Sequence, residues 1–339
     1  MLCIIADDLT GALDAAAPFA GRGLSVVVAL AHGALARAVA LAPDVVAFST
    51  QSRDVSEAVA VARLAEVAKQ LPVGARIFKK VDSRLKGHIA AELTALTPGA
   101  LFVAPAIPDF GRVVRSGAVT GFGVEAPIPV AKVLGDLATR ATVPDTETSR
   151  DMAMALKAAP AGALLVGARG LAEALAVQMT GRAQAVAPRP IASRALMVVG
   201  SRDPITVAQV EALRKEGVDW RPAPNGQLAV AQASSSQGLT LVQAVQGEAV
   251  ASGDEVALRL GASVHPALTD GIDTIFLTGG ATAEAVLAQM ELELLHLDGE
   301  VLPGVPMGRG ERVTVILKSG GFGGGDTLIR LAALLRRGA

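Results

Sequence analysis

Residues Phe78-Lys79-Lys80-Val81-Asp82-Ser83-Arg84-Leu85-Lys86-Gly87 set four cations beside one carboxylate and one hydroxyl, in a chain whose formal net charge is only −1. The run follows a stretch, 75–78, that reads as a strand, and precedes one, 89–96, that reads as a helix. Cations beside a helix N-terminus form an anion site, because free backbone N–H groups and the helix dipole add to the side-chain charge. A small anionic substrate fits this chemistry. The alternative, a solvated basic loop, is weakened by the strand-loop-helix order and by Gly87, which permits close backbone approach. Glu92, inside the following helix, is expected on its solvated face.

Further groups stand at other strand ends. In Ala6-Asp7-Asp8-Leu9-Thr10-Gly11, two carboxylates fall where the first strand gives way to a helix, with Asp14 one turn on. One Asp suffices to cap a helix; two suggest a site, although Asp7 and Asp8 are expected to point to different sides. Ser49-Thr50-Gln51-Ser52-Arg53-Asp54 offers Arg53, which can pair bidentately with a carboxylate or merely sit in solvent. Pro105-Ala106-Ile107-Pro108-Asp109-Phe110-Gly111-Arg112 is a proline-pinned loop, either a plain turn or a substrate lid carrying Arg112. The second half has three Gly-rich strand ends: Gly200-Ser201, Thr278-Gly279-Gly280-Ala281-Thr282 and Lys318-Ser319-Gly320-Gly321-Phe322-Gly323-Gly324-Gly325-Asp326. Three such turns suit a nucleotide, because a missing Cβ lets backbone N–H groups reach phosphate oxygens. None fits a P-loop or dinucleotide fingerprint. Asp326 reads as an N-cap, with a base at an anion site as the alternative.

The elements that must carry these groups alternate. Short apolar runs at 2–6, 25–29, 45–49, 75–78, 101–104 and 163–166 are separated by helical patterns at 10–22, 33–42, 55–71, 89–96 and 170–179. After a pattern-poor, proline-containing linker at 180–194, strands at 195–199, 239–242, 274–277 and 313–318 alternate with helices at 205–216, 247–260, 281–290 and 326–337. Residues 218–237 resist assignment. This is the signature of α/β domains with largely parallel sheets. Length and the linker predict two domains, 1–187 and 188–339, each a largely parallel sheet flanked by helices, with the active site in the interdomain cleft. In open parallel sheets ligands bind at the carboxyl ends of strands, where all these groups fall.

Composition narrows the function. Near-neutral charge argues against a nucleic-acid partner. The longest early apolar stretch, 25–36, is too short to span a bilayer, and no leader pattern opens the chain, so no membrane partner and a cytoplasmic location are expected. The single cysteine, Cys3, sits in an apolar segment and reads as a buried structural thiol. His32, His88, His265 and His296 show no metal-ligand spacing, and Ser201 is in no nucleophile elbow.

The ordered set ADDLTGALDAA, STQSR, KKVDSRLKGHIAAEL, APAIPDFGR, VVGSRDPITVAQV, LTGGATAEAVL and LKSGGFGGGDTL spans nearly the whole chain and resembles the four-carbon acid sugar kinase family, which includes 3-oxo-tetronate, D-threonate and D-erythronate kinases. The resemblance implies an N-terminal substrate domain, a C-terminal nucleotide domain, and ATP- and Mg-dependent phosphorylation of the terminal hydroxyl of a four-carbon sugar acid. Carried over by motif, Asp8, Arg53, Lys80, Val81, Asp82 and Ser83 would bind the sugar acid, and Ser201, Gly279, Gly280, Ala281, Thr282 and Gly321 would bind ATP. Asp8 or Asp82 would orient the attacking hydroxyl and accept its proton. The metal ligands and the oligomeric state, which could be a homo-oligomer, stay open. The family pattern more often reads D-S-T-x-R-G where this chain has Asp82 to Gly87, and the chain is shorter between the Gly200 and Gly279 motifs. The rival readings are a non-catalytic sugar-acid or sugar-phosphate binding protein, which needs no ATP, and a lyase or isomerase with Asp8 as base.

Overall fold

The computed structural model describes residues 1–96, 99–190, 194–229 and 238–337; part of the linker (191–193) and part of the unassigned stretch (230–237) lie outside them. The chain divides into two compact units, Met1–Ala185 and Val186–Ala339.

The first unit holds strands β1 (Leu2–Ala6), β2 (Val26–Ala29), β3 (Val45–Ser49), β4 (Arg76–Lys80), β5 (Leu101–Ala104), β6 (Arg112–Arg115), β7 (Ala118–Gly121), β8 (Ile128–Pro129), β9 (Ala141–Thr142) and β10 (Leu164–Gly167). Its helices are α1 (Leu9–Ala20), α2 (Leu35–Ala40), α3 (Glu57–Ala68), α4 (Ile89–Ala95), α5 (Val130–Leu134), α6 (Ser149–Lys157) and α7 (Arg169–Thr180). The main sheet runs β2-β3-β1-β4-β10-β5-β9, with parallel pairing throughout. LCIIA and VVVA are apolar at every position because strands of a covered parallel sheet are buried on both faces. Helix α1 is buried along its whole length, as its apolar surround requires. Residues 112–129, which carry no expected element, form a small antiparallel sheet β6-β7-β8.

Register fixes the site. Ala6 pairs with Ser49, Ile5 with Lys79, and Gly167 with both Lys80 and Ala104, so the strand ends lie in one row. The strand order changes direction at β1, which has β3 on one side and β4 on the other. Such a switch point opens a crevice outside the strand ends.

The second unit holds β11 (Arg194–Val199), β12 (Asp219–Pro224), β13 (Gly238–Val245), β14 (Thr274–Thr278), β15 (Leu294–Leu302), β16 (Val305–Arg309) and β17 (Thr314–Lys318), with α8 (Pro204–Lys215), α9 (Gly253–Val264), α10 (Gly280–Gln289) and α11 (Thr327–Arg337). Strands β12-β13-β11-β14-β17 are parallel, and β16 and β15 extend the sheet antiparallel. Met197, Val199, Val210, Leu213, Phe276, Ile316, Leu328 and Leu331 form the core. Helix α9 starts later than its apolar pattern predicts, because Ser252 and Glu255 form a capping box. The β15–β16 hairpin adds to the expected strands: Leu295, Leu297, Gly299 and Val301 are buried in alternation with His296, Asp298 and Glu300, and Gly304 stands at its turn. Among the described residues, no helix is long and apolar enough to cross a membrane.

Glu92 overturns its solvated assignment: it is 1% exposed, and its Oε2 lies 3.0 Å from Nζ of the fully buried Lys79. Its other oxygen accepts from Ser52 Oγ at 2.5 Å; Ser52 Oγ lies 2.6 Å from Thr50 Oγ1, which donates to Ala6 O. The helical period alone could not show that α4 turns this carboxylate inward. The pair ties α4 and β4 to the β3 loop beside the site. Glu92→Gln leaves the buried ammonium without its counter-charge, and is expected to cost about 3–5 kcal/mol. The check is urea unfolding followed by circular dichroism; a change below about 1 kcal/mol would show that the pair does not hold the unit together.

Candidate active site

Asp8 caps α1 by accepting from Gly11 N at 2.9 Å and from Thr10 Oγ1 at 2.7 Å. It also faces Arg53. Arg53 donates through Nε and Nη2 to Asp7 at 2.9 and 2.8 Å, and through Nη1 and Nη2 to Asp8 at 2.9 and 3.0 Å. Asp7 and Asp8 thus converge on one guanidinium, which corrects the expectation that they point apart. The β3 loop carries Arg53 across the end of β1, and Ser52 N and Arg53 N bond Asp7 O. Burial acts to raise the Asp7 pKa, but the Arg53 charge and hydrogen bonds, with Lys79 and Lys80 beyond, hold it below the usual carboxylate value. Burial acts to lower the Arg53 pKa, and Asp8 and Asp7 reverse this and raise it. Four of the five guanidinium N–H groups are engaged, so Arg53 has little left for a ligand.

The β4 loop lies against this cluster. Lys80 is buried and its Nζ donates to Val81 O at 3.0 Å; a Cβ on Gly11 would come within 2.8 Å of that ammonium. Val81 N bonds Gly167 O, continuing the pairing with β10. Asp82 Oδ1 accepts from Arg84 N at 2.9 Å, whereas Oδ2 takes no hydrogen bond among the described residues. Ser83 Oγ accepts from Arg112 Nη1 at 2.5 Å, so the proline-pinned loop reaches the β4 loop through its arginine. Gly87 has φ +89°, and a Cβ there would sit 2.9 Å from Asp7 Oδ2. Gln51 and Leu85, neither of them glycine, also have positive φ, which marks a strained lining.

Sequence reasoning missed Arg169. It is buried at the start of α7, beyond β10, with Nε 3.7 Å from Asp14 Oδ1 and the guanidinium over the Phe110 ring at 5.7 Å. A cation directly after a predicted strand is the signal that could have found it. Cys3 is free and buried, as expected, and burial raises its pKa.

In the second unit the Gly-rich ends meet. Val199 pairs with Thr278, and Thr278 with Lys318, which puts the three turns side by side. A Cβ on Gly200 would collide with Thr282 Oγ1, and one on Gly320 with Ser201 Oγ. Gly279 has φ +98°, and a Cβ there would lie 3.2 Å from Ser201 N. Ser201 Oγ accepts from Asp203 N, and Asp203 caps α8 through Ile205 N. Gly279 and Gly280 are half-buried, Ala281 is exposed, Thr282 is buried and Gly321 is half-buried.

Lys318 organises the last loop. It is 0% exposed, and its Nζ donates to Thr206 Oγ1 at 2.9 Å and to the carbonyls of Ser319 and Phe322 at 3.0 and 3.1 Å. Gln209 Nε2 holds Phe322 O and Gly324 O from the same side. These contacts turn loop carbonyls inward, toward the cation. Burial lowers the Lys318 pKa to about 8, partly opposed by Asp203.

Among the described residues, no group of three or more His, Cys, Asp or Glu side chains could hold a metal. A Mg ion carried on nucleotide phosphates needs only one or two carboxylates. Asp203 fits that need, because its Oδ2 is the atom nearest to a Cβ built on Gly321, at 3.3 Å.

Residues 2–129 match a sugar-binding N-terminal domain and residues 221–328 a nucleotide-binding C-terminal domain. The chain is 32% identical to a D-threonate kinase of Bordetella bronchiseptica, across 98% of this chain and 97% of that protein. It is 27% identical to a 3-oxo-tetronate kinase of Methylobacterium radiotolerans, across 95% and 96%. A solved Salmonella typhimurium LT2 protein, described provisionally as a tRNA synthase, superposes with a TM-score of 0.73 at 21% identity over 97% of this chain and 98% of that one, a likeness of fold. The chain belongs to the four-carbon acid sugar kinase family, and its class is sugar acid kinase, a phosphotransferase. The alignment with the Bordetella protein runs over 401 positions against 339 residues here, so that relative carries segments this chain lacks.

Gly87→Ala combines strain at positive φ with a close approach to Asp7. A loss of about 1–3 kcal/mol is expected, together with weaker sugar-acid binding and intact nucleotide binding. Thermal unfolding and calorimetry check both. For Lys318 the folded pKa lies below its ordinary 10.5. Between about pH 8 and 10.5 the unfolded chain therefore binds the extra proton, and stability should rise with pH across that window, with the penalty fully present below it. Trp220, the single tryptophan, stands in this unit and reports its unfolding. The rise should vanish in Lys318→Met; an identical pH slope in both proteins would refute the assignment.

Proposed function

We propose that this protein is an ATP-dependent kinase that phosphorylates the terminal hydroxyl of a four-carbon sugar acid of the threonate, erythronate or 3-oxo-tetronate type. The first unit takes the acid and the second the nucleotide. One observation carries the reading: each compact unit has its Gly- and cation-bearing loops gathered on one row of strand ends, with acidic and cationic groups in the first and three Gly-rich turns in the second. The D-threonate kinase relative, at higher identity than the 3-oxo-tetronate one, makes D-threonate the first substrate to try.

Phosphoryl transfer asks for positioning and charge neutralisation more than covalent chemistry. The hydrogen bonds of the two candidate aspartates support different roles for them. Asp8 is spent on Gly11 N, Thr10 and Arg53, so it positions the β1 and β3 loops around the acid. Asp82 has an Oδ2 without a hydrogen bond among the described residues, and is the group that orients the attacking hydroxyl and accepts its proton. The Lys80 ammonium, with one acceptor among the described residues, supplies positive charge beside Gly11. Arg53 acts by fixing Asp7 and Asp8. Val81 and Ser83 line the same loop. On the nucleotide side, Ser201, Gly279, Gly280, Ala281, Thr282 and Gly321 present backbone N–H groups and hydroxyls, Lys318 braces the loop behind them, and Asp203 is available to a phosphate-bound Mg ion. That ion, when bound, neutralises phosphate charge.

The test is coupled ADP release with ATP and Mg against D-threonate, D-erythronate, L-threonate and 3-oxo-tetronate. Release dependent on one acid identifies the substrate; no release with any of them, at enzyme concentrations that bind ATP, rules out this substrate class. Asp82→Asn should cut kcat by about 100-fold or more while ATP affinity stays within twofold. An equal loss of both would remove Asp82 from the role.

A further inference from the structure

The sugar-acid reading leaves open which cation receives the carboxylate, and the assignment of that cation rests on the same reading. Arg53 is the obvious choice by sequence, yet its fork is filled by Asp7 and Asp8. Arg112 is in the opposite condition. Its backbone is fixed at the start of β6, where Ile107 N donates to Arg112 O at 2.8 Å and Arg112 N to Ile107 O at 3.3 Å. Its side chain is aimed by two bonds, Nε to Phe122 O at 3.0 Å and Nη1 to Ser83 Oγ at 2.5 Å. Neither acceptor carries charge. Three of its five N–H groups, including both on Nη2, have no acceptor among the described residues. No described carboxylate is in ion-pair contact with it, although it is only 6% exposed. Burial lowers the Arg112 pKa and the neighbouring Arg84 lowers it further, with Asp82 opposing. A bound anion at the free Nη2 edge would offset both the burial of this guanidinium and its repulsion by Arg84.

We propose that Arg112, anchored on Ser83 next to Arg84 in the chain, receives the carboxylate of the sugar acid. A planar fork with free N–H groups matches a carboxylate bidentately, and its anchoring at Phe122 and Ser83 removes the entropy of aiming it. Because Ser83 Oγ accepts from Arg112, its own proton is free for the same ligand. Arg112 is thereby a specificity residue: it selects acids over uncharged polyols.

Calorimetric titration of D-threonate, D-erythronate and 3-oxo-tetronate into the full-length protein decides this, with ATP titrated in parallel and ADP release measured separately. Arg112→Gln should weaken the bound acid by about 100-fold and Arg112→Lys by about tenfold, because the ammonium keeps charge but loses the fork. Arg84→Thr should weaken it several-fold, and all three variants should bind ATP within twofold of the parent. Partial return of acid binding to Arg112→Gln on adding guanidinium ion would support contact rather than scaffolding. Acid binding that changes less than tenfold in Arg112→Gln overturns the proposal, as does a matching loss of ATP affinity, or no acid binding by the parent protein. If Arg112→Gln does not fold, Arg112→Lys and Arg84→Thr decide in its place, and acid binding unchanged in both overturns the proposal. Acid binding lost with Arg112, in a protein that releases no ADP, would sink the kinase reading and leave the anion site standing.

Discussion

The first unit is organised around a guanidinium held by two neighbouring carboxylates. Asp7 and Asp8 follow β1, Arg53 comes from the loop after β3, and Gly87 from the loop after β4 covers them. A buried cation between two anions satisfies all three only while the loops keep their places, so the cluster sets the geometry of the switch point. The parallel register brings the loops to one row, and the charges then fix their relative position. The same cluster explains why Asp8, despite its location, has little capacity left for a ligand, while Asp82, one loop away, has an oxygen without a hydrogen bond among the described residues.

The second unit solves a comparable problem with a buried lysine. A glycine-rich loop loses much conformational entropy on ordering. Lys318, Thr206 and Gln209 order Ser319 to Gly324 by binding its carbonyls, not its side chains. The loop's N–H groups are not spent in those bonds. Both units thus place charge under a loop to stiffen it.

Much of this is legible in the chain. The apolar runs LCIIA, VVAFS and TIFLT announce buried parallel strands, and the polar groups immediately after each are recognisable because loops at strand ends carry ligands. What is not legible depends on tertiary direction. Glu92 looks solvated by helical period because its partner, Lys79, lies on a different element. Asp7 and Asp8 look divergent because Arg53, which draws them together, is about 45 residues away in sequence. The β6-β7-β8 sheet escapes notice because its short antiparallel strands lack a long apolar run, the β15–β16 hairpin because Asp298, Gly299 and Glu300 interrupt the apolar alternation of Leu295, Leu297 and Val301, and Arg169 because it falls between the expected strand 163–166 and the expected helix 170–179.

The β6–β7 hairpin is built on the first unit's own small sheet, apart from the parallel strands that carry the aspartates. Phe122 O, beyond its second strand, fixes the aim of Arg112. On the proposed assignment, changes in that turn re-aim Arg112, and the bond from Arg112 to Ser83 passes them to the loop that carries Asp82. Selectivity and chemistry are then inherited together, and a shift in ligand preference carries the reacting loop with it.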